Sequence, residues 1–294
     1  MLDFDVADSK KIRVMIDSDT ACEADDPFAI AHALLSPKLI VKAIVAEHFK
    51  EPGSMERSWE AARKVANALR STVPVLKGES GPDSAEEPSE GVRAIIEEAR
   101  REDPHPLFLL CMGALTNIAR AFEAAPDIER RVTVVTIGGI EYGTEPRWTE
   151  YNFGNDTDAA NRVLGSEAEI WQIPSNVYGS IRIGLAELQE KVRPCGEIGR
   201  YLFEQLRAYN ASPFAGWTPG ESWTLGDSPS VAVALDQSCG VWQLRQAQRV
   251  LPDTSYGDSI GGKRIRVYLS VDSRYLLEDF FSKLRLTQKC SGKS

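Results

Sequence analysis

This sequence has no long apolar runs, few histidines and no cysteines paired by spacing. Each of these absences excludes some classes of protein. The N-terminal stretch MLDFDVADSKK has no apolar core of signal-peptide length, and no later stretch is apolar enough to span a membrane. The 5 cysteines are dispersed without CxxC spacing, which favours free thiols in a reducing compartment over a disulfide framework. We therefore expect a cytoplasmic protein that does not associate with a membrane.

Basic residues are also in the minority, with 34 Lys and Arg against 43 Asp and Glu and a formal net charge of −9. An acidic surface repels phosphate backbones and anionic lipid, so nucleic acid is a poor expected partner. A small neutral substrate or a bound cation fits this charge better. The length of 294 residues and the 43% hydrophobic content allow one large α/β domain or two small ones.

Apolar runs alternate with stretches of helical periodicity through the first half of the chain. Strands are predicted at residues 12–16, 39–46, 73–76, 107–112, 132–137 and 169–173, with helices between them. Later come a helical region over 184–211 and strands over 241–250 and 264–270. Repeated βα units with continuously apolar strands predict a Rossmann-like α/β fold, with a mostly parallel central sheet flanked by helices. No repeat or linker divides the chain, so we expect one domain over residues 1–294.

The segment VMIDSDTACEADD carries the strongest chemical signal, because Asp17, Asp19, Asp25 and Asp26 fall at a strand end, its loop and the next helix start. Two acids at a helix start often only cap its free N–H groups and complement its dipole. That explanation does not cover Asp17 and Asp19, whose added negative charge costs electrostatic energy unless a cation offsets it. Carboxylate oxygens suit Ca²⁺ or Mg²⁺, and several on one loop favour Ca²⁺.

Two further segments follow predicted strands, where ligands bind in open α/β sheets, and a third precedes a predicted helix. In LLCMGALTN, Gly113 permits close approach of the backbone to a ligand, although a plain βα turn is by itself the better explanation. In TEYNF, Glu150 and Asn152 would share one side of an extended segment and could hold vicinal hydroxyls, or simply face solvent. In TLGDSPSVAVAL, Asp227 stands just before a helix, where it could serve only as an N-cap.

Together these segments resemble the nucleoside hydrolases, the inosine-uridine-preferring superfamily, over nearly the whole chain. The resemblance implies Ca²⁺-dependent hydrolysis of ribonucleosides to free base and ribose, in a dimer or tetramer. By position, it implies Asp19 as Ca²⁺ ligand and general base. The other implied metal ligands are Asp26, Asp227 and the backbone carbonyl of Met112, and the implied substrate-binding residues are Asp17, Asp25, Glu150 and Asn152.

The chain departs from the family pattern at two places that matter for chemistry. Asp25 follows Asp19 by six positions where the common spacing is four, so the loop TACEA is longer and lacks glycine. Many members have a histidine immediately before the late aspartate to protonate the leaving base, and here that position is Gly226. His48, at the end of the second strand, is the one histidine expected to face the pocket. We expect instead that a purine is activated by stacking on loop tryptophans, among Trp148, Trp217 and Trp223, with Trp223 more important than Trp217 because it lies four residues from Asp227. Protonation by His48 is the competing possibility.

Two other functional classes stay open at this stage. Gly226 in place of the acid leaves room for a relative that binds ribose or a nucleoside without catalysis. A DxD after a strand, with GDS at residues 226–228, also resembles the haloacid-dehalogenase phosphatases. That interpretation is weaker, because no further aspartate follows in residues 230–235 and Asp25 and Asp26 stay unexplained. Purine riboside hydrolysis is the function we expect.

Overall fold

A computed structural model describes residues 2–83 and 87–291 of the chain. Its strands are β1 (Ile12–Ser18), β2 (Leu39–Ala46), β3 (Val75–Lys77), β4 (Leu107–Cys111), β5 (Val132–Ile137), β6 (Glu169–Ile173), β7 (Arg182–Gly184), β8 (Ser222–Thr224), β9 (Gly240–Val250) and β10 (Tyr256–Val271). Its α-helices are α1 (Asp26–Leu34), α2 (Ser54–Ala68), α3 (Glu90–Arg100), α4 (Thr116–Ala124), α5 (Tyr151–Asn155), α6 (Thr157–Leu164), α7 (Ser175–Tyr178), α8 (Leu185–Lys191), α9 (Gly196–Asn210), α10 (Ser228–Leu235) and α11 (Ser273–Ser291).

Eight of these strands form one sheet in the order β3-β2-β1-β4-β5-β6-β10-β9, and β7 pairs with β8 separately. Neighbours in the large sheet are parallel except β10 and β9, which confirms the predicted α/β class. After β1 the chain adds β2 and then β3 on one side of it. β4 lies on the other side of β1, and β5 and β6 follow in that direction. The carboxyl ends of β1 and β4 therefore flank the crevice where such sheets bind ligands.

Two apolar layers cover the sheet, because successive side chains of a strand point to opposite faces. Val14 and Ile16 of β1 pack into one layer, whereas Met15 between them packs into the other. Every residue of β1 is buried, as expected of a central parallel strand with helices on both faces. β1 is therefore held from both sides, which fixes the position of the acidic residues that follow it.

The region predicted as helical over residues 184–211 is helical, and it consists of two helices, α8 and α9. Pro194 lies between them and has no N–H to continue the helical ladder, and Gly196 adopts a left-handed φ of 70°. The first strand and the last one are longer than predicted, reaching Ser18 and starting at Tyr256. One domain over residues 1–294 stays a prediction, and residues 1, 84–86 and 292–294 lie outside the described structure. No helix in the described ranges combines the length and apolar character needed to cross a bilayer.

A buried polar contact attaches α11 to α1. The carboxylate of Asp279 lies 2.7 Å from His32 Nε2 and accepts from Lys283 Nζ at 2.5 Å. His32 is 1% exposed and Lys283 7% exposed, so water scarcely reaches either side chain. Asp279 is therefore the hydrogen-bond partner that both share in place of water. Burial lowers the pKa of His32 and of Lys283.

Asp279→Ala is expected to lower the free energy of unfolding by about 2–3 kcal/mol, because it leaves buried donors without their acceptor. Urea unfolding followed by circular dichroism measures this loss. Asp258→Ala removes an exposed carboxylate from β10 and serves as the matched control, with an expected change within about 0.5 kcal/mol. Equal stabilities of the two variants would show that the contact contributes nothing.

Candidate active site

The loop after β1 brings the first carboxylate to the crevice. Asp19 follows the last residue of β1 and is 2% exposed. Gly113 follows β4 on the other side of the crevice, and a Cβ placed there would lie 2.9 Å from Asp19 Cγ. Glycine is therefore required at this position because the Asp19 side chain passes against the backbone. The sequence predicted a close approach at Gly113, and the structure shows that an acidic side chain makes it.

Two helix starts supply the other carboxylates. Asp25 immediately precedes α1, Asp26 begins it, and Asp227 immediately precedes α10, which packs against α1. Carboxylate oxygens of these three buried residues all lie within 4.8 Å of one another. Neither Asp25 nor Asp227 uses its side chain to cap its helix, so simple capping does not account for them. The helix dipoles favour negative charge here but do not neutralise three clustered acids.

This cluster is electrostatically strained in the absence of a counter-charge. Burial raises the pKa of Asp25 to about 6 and, together with the nearby Asp25 carboxylate, that of Asp26 to about 7. Burial and neighbouring carboxylates raise the pKa of Asp19 and Asp227 well above the ordinary range. Asp19 Oδ2 is buried and has no hydrogen-bond partner in the described structure. An all-oxygen donor set with an unpartnered oxygen fits a hard divalent cation such as Ca²⁺.

One cavity collects most of the residues predicted to act. The predicted residues on its wall are Asp19, Asp25, Asp26, Met112, Glu150, Asn152 and Asp227. The sequence did not identify Cys22, Glu23, Tyr151 and Tyr178, which also line it. The signal for the first two was the lengthened loop, whereas no sequence pattern marked the tyrosines.

Asn152 lies in helix α5, so the extended segment expected over Glu150 and Asn152 is wrong beyond Glu150, whose own backbone is extended. Glu150 is the N-cap of α5, and its fully buried carboxylate accepts from the backbone N–H groups of Asn152 at 3.2 Å and Phe153 at 3.0 Å. The N–H of Gly139 donates to the same carboxylate at 2.8 Å. The capping preference of Glu150 decided the local structure, and both side chains still reach the cavity wall.

Two predicted site residues lie behind the cavity wall. Asp17 belongs to β1 and accepts from Asn117 Nδ2 at 2.8 Å, with Glu47 beside it. His48 is 1% exposed, and its Nε2 lies 2.7 Å from the hydroxyl of Thr116. Burial lowers the pKa of His48, which favours the neutral imidazole. The structure does not bring either residue to the cavity, because each is held inside the fold by polar partners.

Trp223 likewise lies away from the carboxylates. It is 2% exposed in β8, with its ring 5.6 Å from Tyr209 and 5.3 Å from Trp217. It lines a separate hollow with Arg182 and Trp217. This packing favours anchoring of the loop before Asp227 over stacking on a base. None of the three histidines of the chain, all within the described residues, lines the carboxylate cavity.

Comparison with known proteins agrees with this geometry. The family model of the inosine-uridine preferring nucleoside hydrolases matches residues 14–278. The pyrimidine-specific ribonucleoside hydrolase RihA of Salmonella arizonae is 25% identical over 281 residues, which covers 86% of each chain. The purine-preferring ribonucleoside hydrolase from Gardnerella vaginalis superposes with a TM-score of 0.76 at 22% identity, covering 95% of this chain and 99% of that one. An inosine-uridine preferring nucleoside hydrolase from Bacillus anthracis gives 0.70 at 18% identity, covering 94% and 99%. The chain with its aspartate cluster therefore belongs to the inosine-uridine preferring nucleoside hydrolase family.

Proposed function

We propose that this protein is a Ca²⁺-dependent hydrolase that cleaves the N-glycosidic bond of ribonucleosides to release free base and ribose. The observation that carries the proposal is the buried group of Asp25, Asp26 and Asp227 beside Asp19, in a cavity that Glu150 and Asn152 also line. One wall thus offers clustered carboxylates for a cation, and the other offers a carboxylate and an amide for sugar hydroxyls. A phosphatase site usually also offers basic side chains to the phosphate, and no Lys, Arg or His of the described residues lines this cavity.

The roles of the residues follow from their chemistry and placement. Asp19, with one oxygen free of partners, accepts the proton of the attacking water. Asp25 binds a ribose hydroxyl from one side of the cavity, and Glu150 and Asn152 bind hydroxyls from the other. Asp19, Asp26, Asp227 and the Met112 carbonyl would hold a Ca²⁺ ion, which would supply positive charge to offset the carboxylates. The acidic wall stabilises the oxocarbenium-like charge that develops on the sugar.

We propose ribosides of aromatic bases as the substrate class, with purine ribosides favoured. Support comes from two aromatic rings on the cavity wall, Tyr151 and Tyr178, against which a large planar base can pack. The solved purine-preferring relative supports the same choice, whereas the curated relative RihA is described as pyrimidine-specific. Neither Trp223 nor His48 lines the cavity, so neither has a role in the proposed reaction. A homo-oligomer and a cytoplasmic location stay predictions.

A panel of ribosides tests the proposed function directly. With Ca²⁺ present, inosine, guanosine and adenosine are expected to yield ribose, measured as reducing sugar, at kcat/KM values at least about tenfold above those of uridine and cytidine. That factor corresponds to about 1.4 kcal/mol, within the range that stacking of a base contributes.

Each other outcome of the panel corrects a specific part of the proposal. Faster turnover of pyrimidine ribosides would keep the hydrolase and reject the purine preference. Binding of inosine without release of ribose would identify a non-catalytic relative, the alternative that Gly226 left open. Release of phosphate from phosphorylated substrates without cleavage of ribosides would favour the phosphatase alternative. 2′-Deoxyinosine serves as the matched control, because it lacks one hydroxyl and is expected to react far more slowly than inosine.

A further inference from the structure

Tyr178 lies on the cavity wall, where the proposed function uses its ring as a surface for the base but assigns no role to its hydroxyl. It is the last residue of α7, the short helix that follows β6. It lines the same cavity as the aspartate cluster, together with Glu150 and Gly226. Its side chain contacts both of these residues, so it joins the hydroxyl-binding wall to the wall beside Asp227.

The hydroxyl of Tyr178 completes the hydrogen bonding of the Glu150 carboxylate. It donates to Glu150 Oε1 at 3.0 Å. The backbone N–H groups of Gly139 and Phe153 donate to Oε2 of the same carboxylate. Of these donors, Tyr178 is the only one that a conservative substitution can remove, since the others are main-chain groups. Burial and the adjacent Glu150 raise the pKa of Tyr178 well above its usual value, so the phenol stays protonated and keeps donating.

The ring of Tyr178 fills the space beside Gly226. A Cβ placed on Gly226 would lie 3.3 Å from Tyr178 Cδ2 and 3.2 Å from Asp25 Oδ2. Gly226 also donates its N–H to Asp25 Oδ2 at 2.8 Å, which holds its backbone in place. A side chain at position 226 would therefore be crowded by an aromatic ring on one side and a carboxylate on the other, and one of them would have to shift.

We propose that Tyr178 is a positioning and specificity-determining residue, whose hydroxyl holds the Glu150 carboxylate and whose ring replaces the side chain absent at Gly226. The inference rests on the proposed riboside hydrolysis. Because the phenol proton is committed to Glu150, Tyr178 is not the acid for the leaving base, and that base takes its proton from solvent. The ring contributes shape to the cavity, and the hydroxyl contributes binding of the sugar through Glu150.

Tyr178→Phe tests the hydroxyl. The expected result is a KM for inosine raised about tenfold, with kcat changed by less than about threefold. The reason is that the Glu150 carboxylate loses one hydrogen-bond donor, and this carboxylate binds the sugar equally in the ground state and the transition state. The same factors are expected for 4-nitrophenyl β-D-ribofuranoside, whose leaving group needs no proton. Tyr201→Phe removes a phenol of α9 outside the cavity and serves as the matched control. An effect on inosine that the nitrophenyl riboside does not show would overturn the assignment, because it would identify Tyr178 as the acid.

Gly226→Ala tests the ring, measured in the parent and in a Tyr178→Ala background. We expect Gly226→Ala to lower kcat/KM by about tenfold or more in the parent and by a clearly smaller factor when the ring is absent, since contacting residues are non-additive. Melting temperatures of all variants show that each is folded. Equal factors in both backgrounds would overturn the proposed role of the ring.

Failure of this inference can be told apart from failure of the proposed function. If the parent cleaves ribosides and Tyr178→Phe has the kinetics of the parent, only the role of Tyr178 is wrong. If the parent cleaves no riboside, the proposed hydrolysis is wrong. Titration calorimetry with inosine then measures the contribution of the Tyr178 hydroxyl to binding alone. In that titration, affinity about tenfold weaker for Tyr178→Phe supports the contact, and unchanged affinity or no binding to the parent overturns it.

Discussion

Replacing Asp19 by asparagine is expected to lower kcat for inosine about a thousandfold while leaving the fold intact. General-base catalysis contributes about 10²–10⁴-fold, and an amide cannot accept the proton of water. The unpartnered Asp19 Oδ2 makes no hydrogen bond that the substitution would break. Burial and, after it, the neighbouring carboxylates raise the pKa of Asp19, so removing its charge relieves both its desolvation and its repulsion with Asp25 and Asp26. The melting temperature of the Ca²⁺-free variant is therefore expected to equal or exceed that of the Ca²⁺-free parent.

Asp17→Asn is the comparison that gives this result its meaning. Asp17 precedes Asp19 by only two residues but lies behind the cavity wall, hydrogen-bonded by Asn117. Its substitution is expected to change stability more than turnover, with kcat kept within about tenfold of the parent. Stopped or continuous assays of ribose release and a thermal melt measure both quantities. Near-parental kcat in Asp19→Asn, or equal losses in both variants, would show that Asp19 is not the base.

The first strand and its acidic loop were predictable because local rules and the fold agree there. A buried strand followed by DxD and a helix start indicates where these acids lie in the fold, since ligands bind at the carboxyl end of parallel strands. Asp19, Asp25 and Asp26 therefore reached the cavity as expected. Asp227 did so as well, although nothing local shows that α10 packs beside α1. The match of several segments in order, rather than any one of them, supplied that long-range information.

Other parts of the site could not be predicted, because tertiary contacts decided them. Glu150 and Asn152 were expected on one side of an extended segment, but the chain enters α5 at Tyr151, and Gly139 and Tyr178 also hold the Glu150 carboxylate. His48 stands at the correct end of β2, yet Thr116 and Glu47 hold its ring inside the fold. Tyr178 enters the cavity through a short helix with no sequence periodicity of its own. Each of these outcomes depends on a partner distant in sequence, which local patterns do not encode.

Removal of the divalent ion is expected to abolish turnover as completely as Asp19→Asn does. Protein treated with a chelator and then desalted should lose about a thousandfold or more in kcat, and stoichiometric Ca²⁺ should restore it, since a metal centre contributes several kcal/mol to such reactions. The cause lies in the cluster itself, because carboxylates of Asp25, Asp26 and Asp227 lie within 4.8 Å of one another, and no Lys, Arg or His of the described residues lines their cavity. Elemental analysis of the untreated protein should find one Ca²⁺ per chain.

A stability measurement separates metal binding from catalysis, because it does not require substrate. Ca²⁺ at about 100 times its dissociation constant should stabilise the chelator-treated parent by about 2.7 kcal/mol and raise its melting temperature accordingly. Asp227→Ala removes one carboxylate of the cluster, so the Ca²⁺-dependent rise is expected to shrink or vanish, whereas exposed Asp258→Ala should keep the full rise. If the parent holds no metal and Ca²⁺ leaves its melting temperature unchanged, the metal assignment is wrong. If Asp227→Ala keeps the full rise, Ca²⁺ binds elsewhere, and the buried acids must then be balanced by protons, as their raised pKa values allow.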